Sequence, residues 1–169
     1  AWIEYLNRCQ YIFQSSTFYG DILYHNGDDS FGSTIEPEQT LLAPPEGYDY
    51  DMVNTEMLDK AHIKDGKILF PATRFDGYKL KSETMSLHTL RILARLVGEG
   101  MVLVGQRPLH TLGLCDGEKE NKFAALVQRV WQHPNVHEGK DLQTIFNRLG
   151  VSPDFVYHSE AGNSSVHAI

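Results

Sequence analysis

The chain has 169 residues, 41% hydrophobic and 22% charged. That balance suits one domain, or one domain with an appendage, built around a real core, and it excludes a disordered chain. The formal net charge is −7 and no basic run of five or more occurs, so a nucleic-acid backbone is not an expected partner and the acidity reads as solubility. No apolar stretch reaches the roughly 18 residues a membrane helix needs, so no membrane partner is expected.

The chain opens Ala1-Trp2-Ile3-Glu4, without an initiator Met or a signal peptide, and closes on the apolar run Val166-His167-Ala168-Ile169. Both ends read as cuts within something longer, the alternative being processed ends. Trp2, Tyr5, Leu6, Cys9, Ile12 and Phe13 recur at helical spacing, which predicts a helix over 2–14 with a turn over 15–20. Residues 21–25 read as a short strand that Asn26-Gly27-Asp28-Asp29 breaks. From about 28 to 47 the chain is irregular and carries Pro37, Pro44 and Pro45; loops this long are usually functional or mobile. Residues 52–60 read as a short helix capped by Asp51 or Asn54. Residues 62–71 read as a hairpin about Asp65-Gly66, and Tyr78-Lys79-Leu80 as a weak strand.

Leu87, Leu90, Ile92, Leu93, Leu96 and Val97 then predict a helix over 85–99, stopped by Gly98 and Gly100. Met101-Val102-Leu103-Val104-Gly105 is apolar without alternation, as in a strand buried on both faces of a parallel sheet. Helices follow over 119–132, with Phe123, Leu126, Val127, Val130 and Trp131 inward, and over 141–149, with Leu142, Ile145, Phe146 and Leu149 inward and Gly150 as stop. Residues 155–158 and 166–169 read as late strands. Helices alternating with strands predict a three-layer α/β domain. The first helix can instead be the tail of an upstream domain, dividing the chain at 1–16 and 17–169.

The densest chemistry is Gly47-Tyr48-Asp49-Tyr50-Asp51 with Asn54 and Glu56. Tyr48 and Tyr50 offer faces on which a sugar stacks, and Asp49, Asp51 and Asn54 offer hydroxyl partners. The same carboxylates suit a hard cation such as calcium. A plain turn followed by a helix cap also accounts for them. Tyr24, Asp28 and Asp29 lie at the carboxyl end of a strand, where open α/β sheets gather ligands; the plain alternative is a solvated acidic loop. Cys9 and Cys115 have no zinc-site spacing, and a disulfide between them stays open. Gly98-x-Gly100 precedes a strand instead of following one, so it is no dinucleotide fingerprint, and no phosphate loop occurs. Ser15, Ser16 and Ser86 lack a nucleophile elbow. Trp2 and Trp131, on apolar helix faces, read as core. The sequon Asn163-Ser164-Ser165 is of a kind common by chance.

Four stretches, in order, resemble glycoside hydrolase family 106, the α-L-rhamnosidases. They are Trp2 to Tyr11, Gly20 to Asp29, Pro45 to Glu56, and Glu83 to Leu87 with Gly100 to Pro108; Val166 to Ile169 resembles the start of a further strand. The resemblance covers essentially the whole chain. It implies an internal piece of a multidomain enzyme: the last helix of a catalytic barrel, then a three-layer αβα flavodoxin-like domain of the class I glutamine amidotransferase type with a mostly parallel sheet. Gly100 to Pro108 holds no nucleophilic Cys, so amidotransferase activity is not implied. The catalytic glutamates and a calcium site would lie upstream, and none maps onto a position here. Glycosidic cleavage needs two carboxylates across the bond. Asp49, Asp51, Glu56 and Glu83 are available, but no spacing singles out a pair, so no catalytic residue and no cofactor is assigned to this chain. Two departures stand out: the strand around Tyr78 to Lys81 is short, and His25-Asn26 replaces an aromatic pair.

The expected role is a non-catalytic accessory domain of an enzyme cleaving rhamnose from plant-type rhamnosides in an extracellular or periplasmic setting. Its partners would be the upstream barrel and a carbohydrate. The alternative is a carbohydrate-binding or interaction module without hydrolase activity. A free-standing flavodoxin-like or amidotransferase-like enzyme is disfavoured by the missing phosphate loop and Cys elbow.

Overall fold

The computed structural model describes residues 2–25, 27–28, 43–70, 73–80, 84–112, 117–138, 141–153 and 156. Asp29, Glu83, Cys115, the sequon and, Val156 apart, both expected late strands lie outside these. In chain order the elements are α1 (Trp2–Ser15), β1 (Phe18–His25), β2 (Tyr50–Val53), α2 (Thr55–Asp59), β3 (His62–Lys64), β4 (Lys67–Phe70), β5 (Thr73–Leu80), β6 (Thr84–Met85), α3 (Leu87–Gly98), β7 (Leu103–Val104), β8 (His110–Thr111), α4 (Gly117–Trp131), β9 (Val136–His137) and α5 (Leu142–Leu149).

The sheet is built outward from β1, which runs parallel to β2 on one edge and to β5 on the other. The far edge of β5 is shared. Its first half pairs antiparallel with β4 (Ile68 opposite Phe75), and its second half pairs parallel with β7 (Tyr78 opposite Leu103). β3 completes a hairpin with β4, and β9 lies parallel beyond β7. The parallel path therefore reads β2-β1-β5-β7-β9, with the hairpin branching off it. β6 and β8 form a separate parallel pair.

Neighbouring residues of a strand point to opposite faces, and two apolar clusters follow. Leu23 and Leu103 join Leu58 of α2, Leu90, Leu93 and Leu96 of α3, and Phe123, Val127 and Trp131 of α4. Ile22, Tyr24 and Val104 join Tyr48 and the α5 residues Leu142, Ile145 and Phe146. Covering on both faces is why residues 101–105 carry no polar alternation. The architecture is mixed α/β with parallel and antiparallel pairings.

Local chemistry sets several boundaries. Asn54, Ser86 and Asp141 are the N-caps of α2, α3 and α5, each accepting from a backbone N–H three residues on. Gly150 ends α5 at φ +71°, a left-handed conformation that glycine adopts cheaply. Asp65 and Gly66 both have positive φ, 53° and 76°, the pair that a two-residue hairpin turn of matching twist requires.

Elsewhere tertiary pairing overrides the sequence expectation. β1 starts at Phe18, inside the expected turn, because Phe18, Tyr19 and Gly20 pair with Thr73, Arg74 and Phe75. Tyr50–Val53 is a strand, not a turn running into a helix, and α2 is confined to Thr55–Asp59. β5 is not shortened: it spans eight residues. Arg74, Asp76, Gly77 and Lys79 dilute its apolar pattern, and pairing along both edges sustains it. Trp131 is buried as expected, but Trp2 is 69% exposed and α1 contains no buried residue. Leu149, expected inward, is 42% exposed at the end of α5. No helix among the described residues is long and apolar enough to cross a membrane.

Leu93 is fully buried between sheet and helices. Leu93→Ala is expected to lower the unfolding free energy by about 3 kcal/mol, the usual size for a core cavity. Leu149→Ala is expected to lower it by less than about 1 kcal/mol. Urea denaturation of both variants checks the pair.

Candidate functional site

The carboxyl ends of β1 and β2 meet the start of α3 in one polar cluster. β1 ends at His25, whose side chain is 1% exposed. The chain turns at Gly27, at φ +87°, and delivers Asp28 to the amino ends of α2 and α3. Asp28 Oδ1 accepts from Thr55 Oγ1 and from Thr89 Oγ1, both at 2.6 Å, and Oδ2 accepts from the Ser86 N–H at 2.8 Å. His25 Nε2 lies 3.0 Å from Thr55 Oγ1, and His25 Nδ1 lies 3.3 Å from the Gly27 N–H. Ser86 Oγ accepts the Thr89 N–H at 3.1 Å and lies 3.0 Å from Thr89 Oγ1. A carboxylate near a helix amino end is further favoured by the unpaired N–H groups there.

The environment acts on both titrating groups. Burial pushes the His25 imidazole below its ordinary value, against an upward pull from Asp28. Burial also pushes Asp28 upward, but hydrogen bonds from Thr55, Thr89 and the Ser86 N–H, together with the field of His25, outweigh it and hold the carboxyl below its ordinary range. The field of His25 acts only when the imidazole is charged.

The other sequence candidates divide between core and surface. Tyr48 is 6% exposed, stacks on Phe146 at 4.6 Å between ring centroids, and donates its hydroxyl to the Val151 carbonyl at 3.1 Å. Tyr24 is buried and meets Tyr50 edge-to-face at 5.5 Å. Asp49 N–H donates to the buried Asp21 carboxylate at 2.8 Å, and the Asp49 carbonyl accepts from the Asp21 and Ile22 N–H groups. Exposed Asp51 accepts the Met52 N–H at 2.7 Å, and Asn54 accepts the Met57 N–H at 2.9 Å. Glu56 is exposed and pairs with Lys60. Of the described candidates, Asp28 alone enters the cluster at the helix starts; on β2, Asp51 is exposed and Tyr50 is partly buried against Tyr24 and the apolar cluster.

His25, Thr55, Ser86 and Thr89 are the partners that sequence reasoning missed. Ser86 and Thr89 have the spacing of an N-cap and its target, but nothing local tells that Asp28 reaches them. Two further features frame the sheet. At the carboxyl ends of β7 and β9, Arg107 makes a two-pronged ion pair with Glu138, Nε to Oε1 at 3.2 Å and Nη2 to Oε2 at 3.0 Å, holding that carboxyl low. At the opposite, amino ends of the strands lies a cleft of about 610 Å³ lined by Tyr19, Asp21, Lys67, Asn135 and Ser152. There the Lys67 ammonium donates to the Tyr19 hydroxyl at 2.5 Å. Among the described residues no group of three His, Cys, Asp or Glu side chains is arranged to hold a metal ion.

Because its carboxyl is held low in the folded state, Asp28 contributes stability that is present above the unfolded carboxyl value, about 4, and is lost as pH falls through the lower folded value. Asp28→Asn is expected to be less stable than the parent at pH 7, with the gap narrowing below about pH 4. Denaturation midpoints at pH 7 and pH 3.5 measure it.

Comparison with known proteins places the whole arrangement. A solved rhamnosidase from Novosphingobium sp. PP1Y superposes with a TM-score of 0.78 over 95% of this chain and 17% of its own, at 23% identity. A protein of Formosa agariphila, provisionally named a beta-glucuronidase, is 29% identical over 126 residues, which is 70% of this chain and 10% of that protein. The chain thus spans a small part of each of these relatives. The family model described as alpha-L-rhamnosidase, glycoside hydrolase family 106, matches residues 1–168, and the chain belongs to that family.

Proposed function

We propose that this chain is a non-catalytic module of an α-L-rhamnosidase-type glycoside hydrolase, packed through α1 against the catalytic remainder of the enzyme. The observation that carries the reading is α1 itself. It buries nothing, and it presents Trp2, Ile3, Tyr5, Leu6, Tyr11, Ile12 and Phe13, all at least 44% exposed. Apolar surface of this extent is stabilised by about 25 cal/mol for each Å² removed from water, so a covering partner fits it. On this reading residues 1–16 continue a neighbouring barrel and 17–169 form the module.

We read the module as a three-layer flavodoxin-like domain of the amidotransferase type. In support, the parallel path β2-β1-β5-β7-β9 becomes the order 2-1-3-4-5 once the hairpin and the two-residue pair are set aside. Helices on both faces of the sheet agree with it.

Asp28, Glu138 and Asp141 are held below their ordinary range by hydrogen bonds, the opposite of what a glycosidase general acid needs. In this reading the acid, its partner carboxylate and any calcium belong to the remainder of the enzyme. In this reading the loops over 24–29 and 47–56 would border the substrate cleft, with exposed Asp51 and the uncovered part of Tyr50 open to a sugar. The substrate would be a terminal rhamnose of a plant-type glycoside, met outside the cytoplasm.

The second reading is a carbohydrate-binding module without any hydrolase role, favoured by exposed Asp51 beside partly exposed Tyr50. The chain is expected to show no turnover of an aryl α-L-rhamnoside, and turnover above the no-protein rate would overturn the first reading. Titration with rhamnogalacturonan oligosaccharides separates the two. Saturable binding lost in Tyr50→Ala supports the second; no binding by the chain supports the first.

A further inference from the structure

Leu87 and Arg91 of α3, with Lys122, Ala125, Leu126 and Arg129 of α4, line an open groove of about 440 Å³. Its place follows from the packing of the two helices. Leu90, Leu93, Phe123 and Val127 are buried in one apolar cluster, and the adjoining turns leave a furrow between the helices. Leu87 and Leu126 are partly buried against that cluster and, with Ala125, give the furrow an aliphatic floor. Arg91, Lys122 and Arg129 are exposed and form its rims. Lys122 and Arg129 stand two helical turns apart, about 10 Å along α4.

The charge on the groove is of one sign. No Asp or Glu stands among the described residues that line it, although the chain as a whole carries −7. Elsewhere guanidinium groups are matched: Arg95 pairs with Asp59 and Glu99, and Arg107 with Glu138. Lys122 is engaged, but among the described residues neither Arg91 nor Arg129 has a hydrogen-bond or ion-pair partner. Cations on adjacent helices repel, and a carboxylate set between them turns the repulsion into attraction. A guanidinium can grip such a group by two parallel hydrogen bonds. The lining also selects among anions. Sugars and single-stranded nucleic acids stack on aromatic faces, and the described lining has no aromatic side chain. An aliphatic floor between cationic rims instead matches a helix that carries carboxylates beside an aliphatic row, laid lengthwise in the groove.

We propose that the groove between α3 and α4 is a docking site for an acidic amphipathic helix of a protein partner, with aliphatic side chains of that helix on Leu87, Ala125 and Leu126 and its carboxylates on Arg91 and Arg129. This surface belongs to other elements than the exposed α1, and its role does not depend on the function proposed above.

Amide and arginine side-chain NMR of the chain, titrated with a short helical peptide that carries glutamates two turns apart beside a row of leucines, tests it. At about 20 mM salt, saturable shifts are expected at the Arg91 and Arg129 side chains and at the amides around Leu87 and Leu126, and binding is expected to weaken about threefold or more at about 200 mM salt, where exposed charges are screened. Arg91→Gln combined with Arg129→Gln is expected to weaken binding about tenfold, and Arg148→Gln, at an exposed position of α5, by less than about twofold. All three are surface positions, where substitution leaves the fold intact. The same peptide with glutamine in place of glutamate is expected not to bind. Absence of shifts at the two arginines, equal weakening by Arg148→Gln, equal binding of the glutamine peptide, tighter binding of an oligogalacturonate of the same charge, or groove shifts that grow with chain concentration alone would each overturn the proposal.

Discussion

One carboxylate fastens three segments that are far apart in the chain. Asp28 leaves β1, bonds Thr55 at the start of α2, and bonds Ser86 and Thr89 at the start of α3. Each strand–helix unit in such a sheet must present its helix start beside the carboxyl ends of the strands, where backbone N–H groups are left over. Here the leftover groups and the neighbouring hydroxyls converge on a single partly buried anion. A partly buried charge is tolerable only when it is well bonded, and three short hydrogen bonds meet that condition. In parallel sheets this location, beside the point where strand order reverses, is where ligands commonly sit. In this chain its polar groups satisfy one another.

The core holds the strands that carry that cluster. Leu23 and Ile22 on β1, and Leu103 and Val104 on β7, point into opposite clusters. Both strands are thus packed on two faces. Tyr48 has the same character. Its ring packs on Phe146 and its hydroxyl reaches Val151, so it ties the segment before β2 to the end of α5. α1 stands in contrast, since it carries aromatic and aliphatic side chains with no counterpart in the described structure. The contrast between a packed α/β core and an exposed apolar helix is the physical basis of the packing proposed for α1.

Much of the framework was legible in advance because its causes are local. The apolar spacing of α3 and α5, the left-handed stop at Gly150 and the Asp65-Gly66 turn all depend on residues within a few positions of one another. The family likeness was legible for a related reason, as it rests on short segments in fixed order. β5 and β2 were not legible as they stand. Arg74, Asp76 and Lys79 interrupt any apolar pattern in β5, and β2 reads locally as a turn before a cap. Both exist because β1 offers them an edge to pair with.

The site separates along the same line. From sequence, Tyr48, Tyr50, Asp28 and Asp51 were equivalent: polar or aromatic residues near strand ends. Folding makes Tyr48 a core residue, Asp28 a partly buried anchor, Tyr50 a ring half-covered by Tyr24 and the core, and Asp51 a surface group. The bonds that assign these roles connect residues 27, 61 and 103 positions apart. Family membership and the local elements follow from the order of the residues, because neighbours in the chain suffice to specify them. Which polar groups bind one another and which face solvent is decided only in three dimensions, because the donors and acceptors meet only after the sheet has brought distant segments together.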